Sequence, residues 1–145
     1  MLVLIGIGIY KDKYIKNCNT AQKSCAVAKD IWVLKSRIMN KFERLKSELV
    51  QHGTGKMKAF GNSMLPILKS GSNLTFVKAA AYQIGDIVFC KVKGRYIDAH
   101  KIIKMDAHKG YLIANNHGHE NGWTRIVYGK VVLGEYQHQV IYKNE

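Results

Sequence analysis

The sequence predicts a mainly β protein: a folded-over antiparallel sheet or barrel preceded by an amphipathic α-helix. Three observations lead there. From residue 56 onward, short runs rich in Val, Ile, Phe and Tyr recur at a spacing of roughly ten residues, punctuated by Gly. Before residue 52, apolar residues fall instead in steps of three and four. The chain's 145 residues, 47% hydrophobic and 23% charged, suit one domain with an appendage and not a disordered chain. The expected division is residues 1–52, an N-terminal arm and basic helix, and residues 53–145, the β domain.

Taken in order, residues 2–10 (LVLIGIGIY) are apolar and are followed by Lys11-Asp12-Lys13. The run is too short to cross a bilayer as a helix, which needs ~20 residues, so no transmembrane segment is expected. It also lacks the basic stretch that precedes a secretory signal's apolar region, although Ala26-Val27-Ala28 has the small-x-small form of a cleavage site. Alternation of Ile and Gly over residues 5–9 reads as a strand or an extended arm.

Residues 30–52 read as a helix. Ile31, Leu34, Ile38, Phe42, Leu45 and Leu49 draw one apolar stripe, Asp30 precedes it as N-cap, and Gly53 stops it. Lys35, Arg37, Lys41, Arg44 and Lys46 lie largely off that stripe. The simpler reading packs the stripe on the chain's own domain; the alternative is a homodimer through helix 30–52. Gly53-Thr54-Gly55-Lys56 reads as a hinge. It is not a phosphate-binding loop, because Met57 follows the Lys and a helix, not a strand, precedes it. Strands are expected over 74–77, 87–92, 96–97, 101–105, 111–114, 126–133 and 139–142, with hairpin tips at Gly94-Arg95 and His108-Lys109-Gly110.

Charge sets the chain apart. Residues 1–52 carry 10 Lys+Arg against 4 Asp+Glu, and residues 53–145 carry 13 against 6, for a net +13. The excess is spread along the chain, so it describes a generally electropositive surface and not a detachable tail. Such a surface favours nucleic acid, anionic lipid or an acidic partner. Cys18, Cys25 and Cys90 are odd in number and fit no zinc spacing, which excludes a disulfide framework and points to a reducing, cytoplasmic setting.

The segment richest in chemistry is Gly61-Asn62-Ser63-Met64-Leu65-Pro66-Ile67-Leu68-Lys69-Ser70-Gly71, which holds the chain's single proline. A serine on a tight turn is a candidate nucleophile only with a base in hydrogen-bond reach; otherwise it caps a short helical turn. Gly85-Asp86-Ile87-Val88 follows, then the strand Tyr96-Ile97-Asp98-Ala99-His100-Lys101-Ile102-Ile103, then Gly110-Tyr111-Leu112-Ile113-Ala114-Asn115-Asn116. Strict alternation would put Tyr96, Asp98, His100 and Ile102 on one face.

This order of motifs resembles the signal peptidase I and LexA-type repressor peptidase superfamily over roughly residues 57–134. That family carries G-x-S-M-x-P-x-L-x-x-G, then G-D-x-V, then a strand bearing the general base followed by a basic residue. The resemblance implies a folded-over β domain with Ser63 as nucleophile and His100 as base, in the His-type version of the site. Its implied substrate is a peptide, which the chain itself supplies if it self-cleaves near Ala26-Val27-Ala28. An imidazole is the simpler base, being neutral at pH 7, where an ammonium must first be depressed by burial. Asn62 and Met64 flank the nucleophile at the oxyanion position, with the Ser63 N–H as the natural donor.

Two departures stand out. Ser72 replaces a frequent Asp, and Ala114-Asn115-Asn116 lacks the Asp that orients a catalytic His. Asn115 or Asn116 is then the expected orienting group, with Asp98 as a substitute. A catalytically inactive module that binds nucleic acid or an acidic partner is the alternative reading. No cofactor is implied. His117, His119 and Glu120 invite a zinc reading but lack a further, remote ligand and a supporting Cys pair, and no metal is expected.

Overall fold

A computed structural model describes residues 29–31 and 39–145. The apolar run 2–10, Ala26-Val27-Ala28, Cys18, Cys25 and the stripe positions Leu34 and Ile38 lie outside the described residues. Residues 29–31 are helical.

Asn40 opens helix α1 (Lys41–His52). In extended geometry (φ −66°, ψ 162°), its side-chain oxygen accepts from the Phe42 and Glu43 N–H groups at 3.1 and 2.9 Å. Gly53 closes the helix in the left-handed region (φ 71°), donating its N–H to the Leu49 carbonyl, as its sequence position predicts. The single helix over 30–52 is corrected at the other end: residues 39–40 are not helical, and Asn40, not Asp30, caps α1. A short polar side chain that satisfies the first free N–H groups starts a helix better than the apolar stripe extends one.

Eight strands follow: β1 (Thr54–Ala59), β2 (Ser72–Val77), β3 (Ile87–Val92), β4 (Arg95–Asp106), β5 (Gly110–Ala114), β6 (Glu120–Thr124), β7 (Val127–Tyr136) and β8 (Gln139–Lys143). They form one antiparallel sheet in the order β1-β2-β7-β3-β4-β5-β6, with β8 on the far part of β7. The sheet curls into a half-barrel, as the sequence predicts. The expected hinge is in fact β1, where Gly55, Met57 and Ala59 point inward. The β3–β4 turn is Lys93-Gly94, both at positive φ (48° and 78°), the geometry that matches a two-residue hairpin to strand twist.

Leu45 and Leu49 of α1 are fully buried against this sheet. A Cβ on Gly55 would come within 2.8 Å of Leu45 Cδ1, and one on Gly129 within 3.1 Å of the Leu49 methyls. The helix therefore lies where β1 and β7 carry no side chain. The compact unit runs from Asn40 to Glu145 and takes in α1. Phe42, Leu45 and Leu49 pack in its core, the simpler of the two readings of the stripe.

One core cluster joins α1 to Met57, Met64, Leu68, Leu74, Phe76, Ile87, Phe89, Ala99 and Val131. A second gathers Tyr82, Val88, Cys90, Val92, Ile102 and Ile113 on the other face. Burial pushes the Cys90 thiol up to about 12, which keeps it an inert core residue. On β4 the register passes from Val88↔His100 to Cys90↔Ile97, so a bulge sets two residues of β3 against three of β4. The expected shared face is broken there: Tyr96 packs in the first cluster and Ile102 in the second.

Asp86 ties the sheet to the C-terminal end. Its carboxylate accepts from the Gln83 N–H at 2.9 Å and the Asn144 amide at 3.2 Å, and Lys130 Nζ lies 3.9 Å away. Asp86→Ala leaves two donors without this acceptor and is expected to cost about 1–3 kcal/mol in denaturant unfolding. A loss within ~0.5 kcal/mol would mean that the carboxylate ties nothing together.

Candidate active site

The segment from Phe60 to Gly71 leaves β1 and returns to β2 as a loop pinned at its base. Gly71 N–H donates to the Ala59 carbonyl at 2.7 Å, Gly61 N–H to Ser70 Oγ at 3.1 Å, and Ser72 Oγ–H to the Lys69 carbonyl at 2.6 Å. Inside the loop, Leu68 N–H reaches the Met64 carbonyl at 3.0 Å, and the Leu65–Pro66 peptide is cis. Met64 and Leu68 sit in the first core cluster. The Met64 side chain is therefore an anchor, and only its backbone N–H is left for the site. Ser63, between anchor and rim, is half-buried and faces β4.

Ser63 Oγ lies 3.0 Å from Nε2 of His100, a buried residue of β4. The other ring nitrogen, Nδ1, lies 2.6 Å from Oδ1 of Asn121 on β6. An amide oxygen only accepts, so Nδ1 carries the ring proton and Nε2 presents its lone pair to the serine hydroxyl. The hydroxyl donates to the imidazole, and the imidazole donates to the amide. A hydroxyl, an imidazole and an amide in one hydrogen-bonded row have the geometry that a nucleophile, a base and an orienting group require.

The Peptidase S24-like family profile matches residues 20–132, well over half of the chain. The chain belongs to the Peptidase S24-like family. No curated protein matches it. The match spans all three members of the row, and the half-barrel sheet agrees with the resemblance on which Ser63 and His100 were singled out.

In this S24-like domain Asn115 and Asn116 do not hold the imidazole; Asn121 does. Asn115 Oδ1 accepts from the His117 and His119 N–H groups, both at 2.9 Å, and so folds the loop between β5 and β6. Asn116 turns to the serine loop. Its backbone N–H donates to the Ser63 carbonyl at 3.0 Å and its side-chain amide to the Leu65 carbonyl at 2.7 Å. The Asn62 carbonyl accepts from His117 Nε2 at 3.0 Å, so Asn62 offers the site its backbone contact to that loop. Asp98, the other expected orienting group, accepts from the Ala99 N–H at 3.1 Å.

Asn121 escapes the sequence reading because β6 does. Glu120-Asn121-Gly122-Trp123-Thr124 is polar and contains glycine, with no apolar run to mark a strand. The available signal is indirect: Asn115 as an Asx turn sends the chain back beside β5, which puts Glu120 opposite Ala114. The next residue then meets β4's base. Tyr128 packs on Phe89 with ring centroids 5.1 Å apart.

Among the described residues, no three His, Cys, Asp or Glu side chains are grouped so as to hold a metal. No helix among the described residues is long and apolar enough to cross a membrane.

Proposed function

We propose that this S24-like domain is a serine peptidase that hydrolyses a peptide bond through an acyl-enzyme on Ser63, with His100 as general base and Asn121 holding the imidazole. The supporting observation is the 3.0 Å Ser63–His100 contact in a row whose tautomer is set by Asn121. Ser63 Oγ attacks the scissile carbonyl carbon while His100 Nε2 takes its proton. The oxyanion is met by the Ser63 backbone N–H, with those of Asn62 and Met64 beside it. The imidazolium gives its proton to the leaving amine and the C–N bond breaks. Water, deprotonated by the same nitrogen, then attacks the ester, and Ser63 leaves with its proton restored.

The test is covalent labelling with a fluorophosphonate, mapped by peptide mass. The expected adduct is on Ser63, and it is absent from Ser63→Ala. No adduct on the wild-type protein, or one on another residue, would overturn the reading. It would leave a peptidase fold that binds without turnover through its basic surface.

Asn121 supplies a second prediction. A neutral amide fixes the tautomer but stabilises the imidazolium less than a carboxylate does. Asn121→Ala should slow labelling about tenfold, the worth of one neutral hydrogen bond. Asn121→Asp should speed it at alkaline pH. It should also move the acid limb of the pH–rate profile upward, because an adjacent carboxylate favours the protonated ring. An unmoved limb in Asn121→Asp would show that residue 121 does not face the base.

A further inference from the structure

Lys101, beside the base on β4, is half-buried, and its ammonium donates to Asn116 Oδ1 at 3.0 Å. Asn116 commits both ends of its side-chain amide and its backbone N–H: Oδ1 to Lys101, Nδ2 to the Leu65 carbonyl at 2.7 Å, and the backbone N–H to the Ser63 carbonyl at 3.0 Å. The two accepting carbonyls lie on either side of Met64, in the turn that presents the nucleophile.

An ammonium only donates, and a carboxamide can be rotated by half a turn with little change in shape. With Lys101 in place, the oxygen of Asn116 must face the ammonium and the NH₂ must face Leu65. Were the amide to turn over, NH₂ would meet NH₃⁺ and oxygen would meet the Leu65 carbonyl, two repulsive contacts in place of two hydrogen bonds. The lysine thus fixes which way the amide points, and the amide fixes the serine turn.

We infer that Lys101 is a positioning residue for the nucleophile, acting through Asn116. The inference rests on the proposed role of Ser63 and adds to it a division of labour between neighbours on β4. His100 receives the serine's proton, and Lys101 holds the turn on which the serine sits. Lys101 touches no reacting atom. Its charge serves to orient an amide.

The experiment uses the full chain and two readouts: the rate of Ser63 labelling by a fluorophosphonate across pH, and the shift and exchange protection of the Asn116 backbone amide by NMR. Lys101→Met keeps the stem and removes the donor. It should slow labelling about ten- to hundred-fold, as small misplacements of a reacting group do. The acid limb should stay in place, since the base is untouched, and the Asn116 amide should lose protection. Lys101→Arg, which keeps a donor, should recover most of the rate. Lys101→Met combined with Asn116→Ala should be no slower than Asn116→Ala alone, because the lysine acts only through the amide.

Labelling of Lys101→Met within twofold of wild type overturns the inference. So does additive loss in the double variant, or an Asn116 amide that keeps its shift and protection. If the wild-type protein takes no label, the peptidase reading fails. The positioning inference is then decided by the Asn116 amide alone.

Discussion

His100→Ala is expected to lower the rate of Ser63 acylation by about 10²–10⁴-fold, the range that a positioned general base contributes. A serine hydroxyl is a weak nucleophile at neutral pH, and nothing else in the row accepts its proton. Lys101, the nearest cation in sequence, is hydrogen-bonded to Asn116 and cannot stand in. The residual labelling of His100→Ala should lack the acid limb that reports the base. His100→Gln separates geometry from basicity: its amide can still bond to the hydroxyl but takes no proton, so it should be as slow as the alanine variant. The measurement is the second-order labelling rate over pH, with circular dichroism showing that each variant is folded. Wild-type rates in both variants would remove the base from the mechanism.

Phe89→Ala should cost about 3–5 kcal/mol of stability, the range for removing a buried aromatic ring. Phe89 is fully buried on β3 and is the hub of an aromatic cluster. Its ring centroid lies 6.2 Å from Phe42 of α1, 6.1 Å from Phe76, 5.7 Å from Tyr96 and 5.1 Å from Tyr128. The cluster therefore joins α1, β2, β3, β4 and β7. Tyr96 adds a hydrogen bond to Glu43 of α1, which holds the phenol protonated well above its ordinary range. At ~4–8 °C per kcal/mol, the melting midpoint should fall by roughly 12 °C or more. A shift of only a degree or two would show that the helix and sheet are not held through this ring.

The legible parts of the fold are those with a composition of their own. The apolar runs of β2, β3, β5, β7 and β8 announce strands, and Gly53 announces the end of α1. β1 hides behind Gly-Thr-Gly-Lys because two of its three inward positions, Gly55 and Ala59, are small: Gly55 must be, with Leu45 against it. β6 hides because a strand at the sheet's edge, paired with β5 alone, can be polar. The start of α1 is hidden by a stripe that runs on across Asn40 in sequence while the backbone breaks there.

The site divides in the same way. Ser63 and His100 sit within motifs of fixed spacing and are visible without coordinates. Asn121 becomes a partner only after the β5–β6 hairpin doubles back, and Lys101 only after β5 pairs with β4 and sets Lys101 opposite Ala114, two residues before Asn116; the shared face of Tyr96 and Ile102 is lost to the bulge. Alternation is a local rule, and the bulge is a tertiary choice that overrides it.

The loop after β5 has a consequence for how this domain can vary. Asn116 grips the nucleophile's turn and Asn121, five positions on, grips the base. One inserted or deleted residue between them would pull one grip out of register whichever way it was absorbed. Length changes in working relatives should therefore avoid this loop and collect at tips such as Gln137-His138, where nothing reactive keeps count.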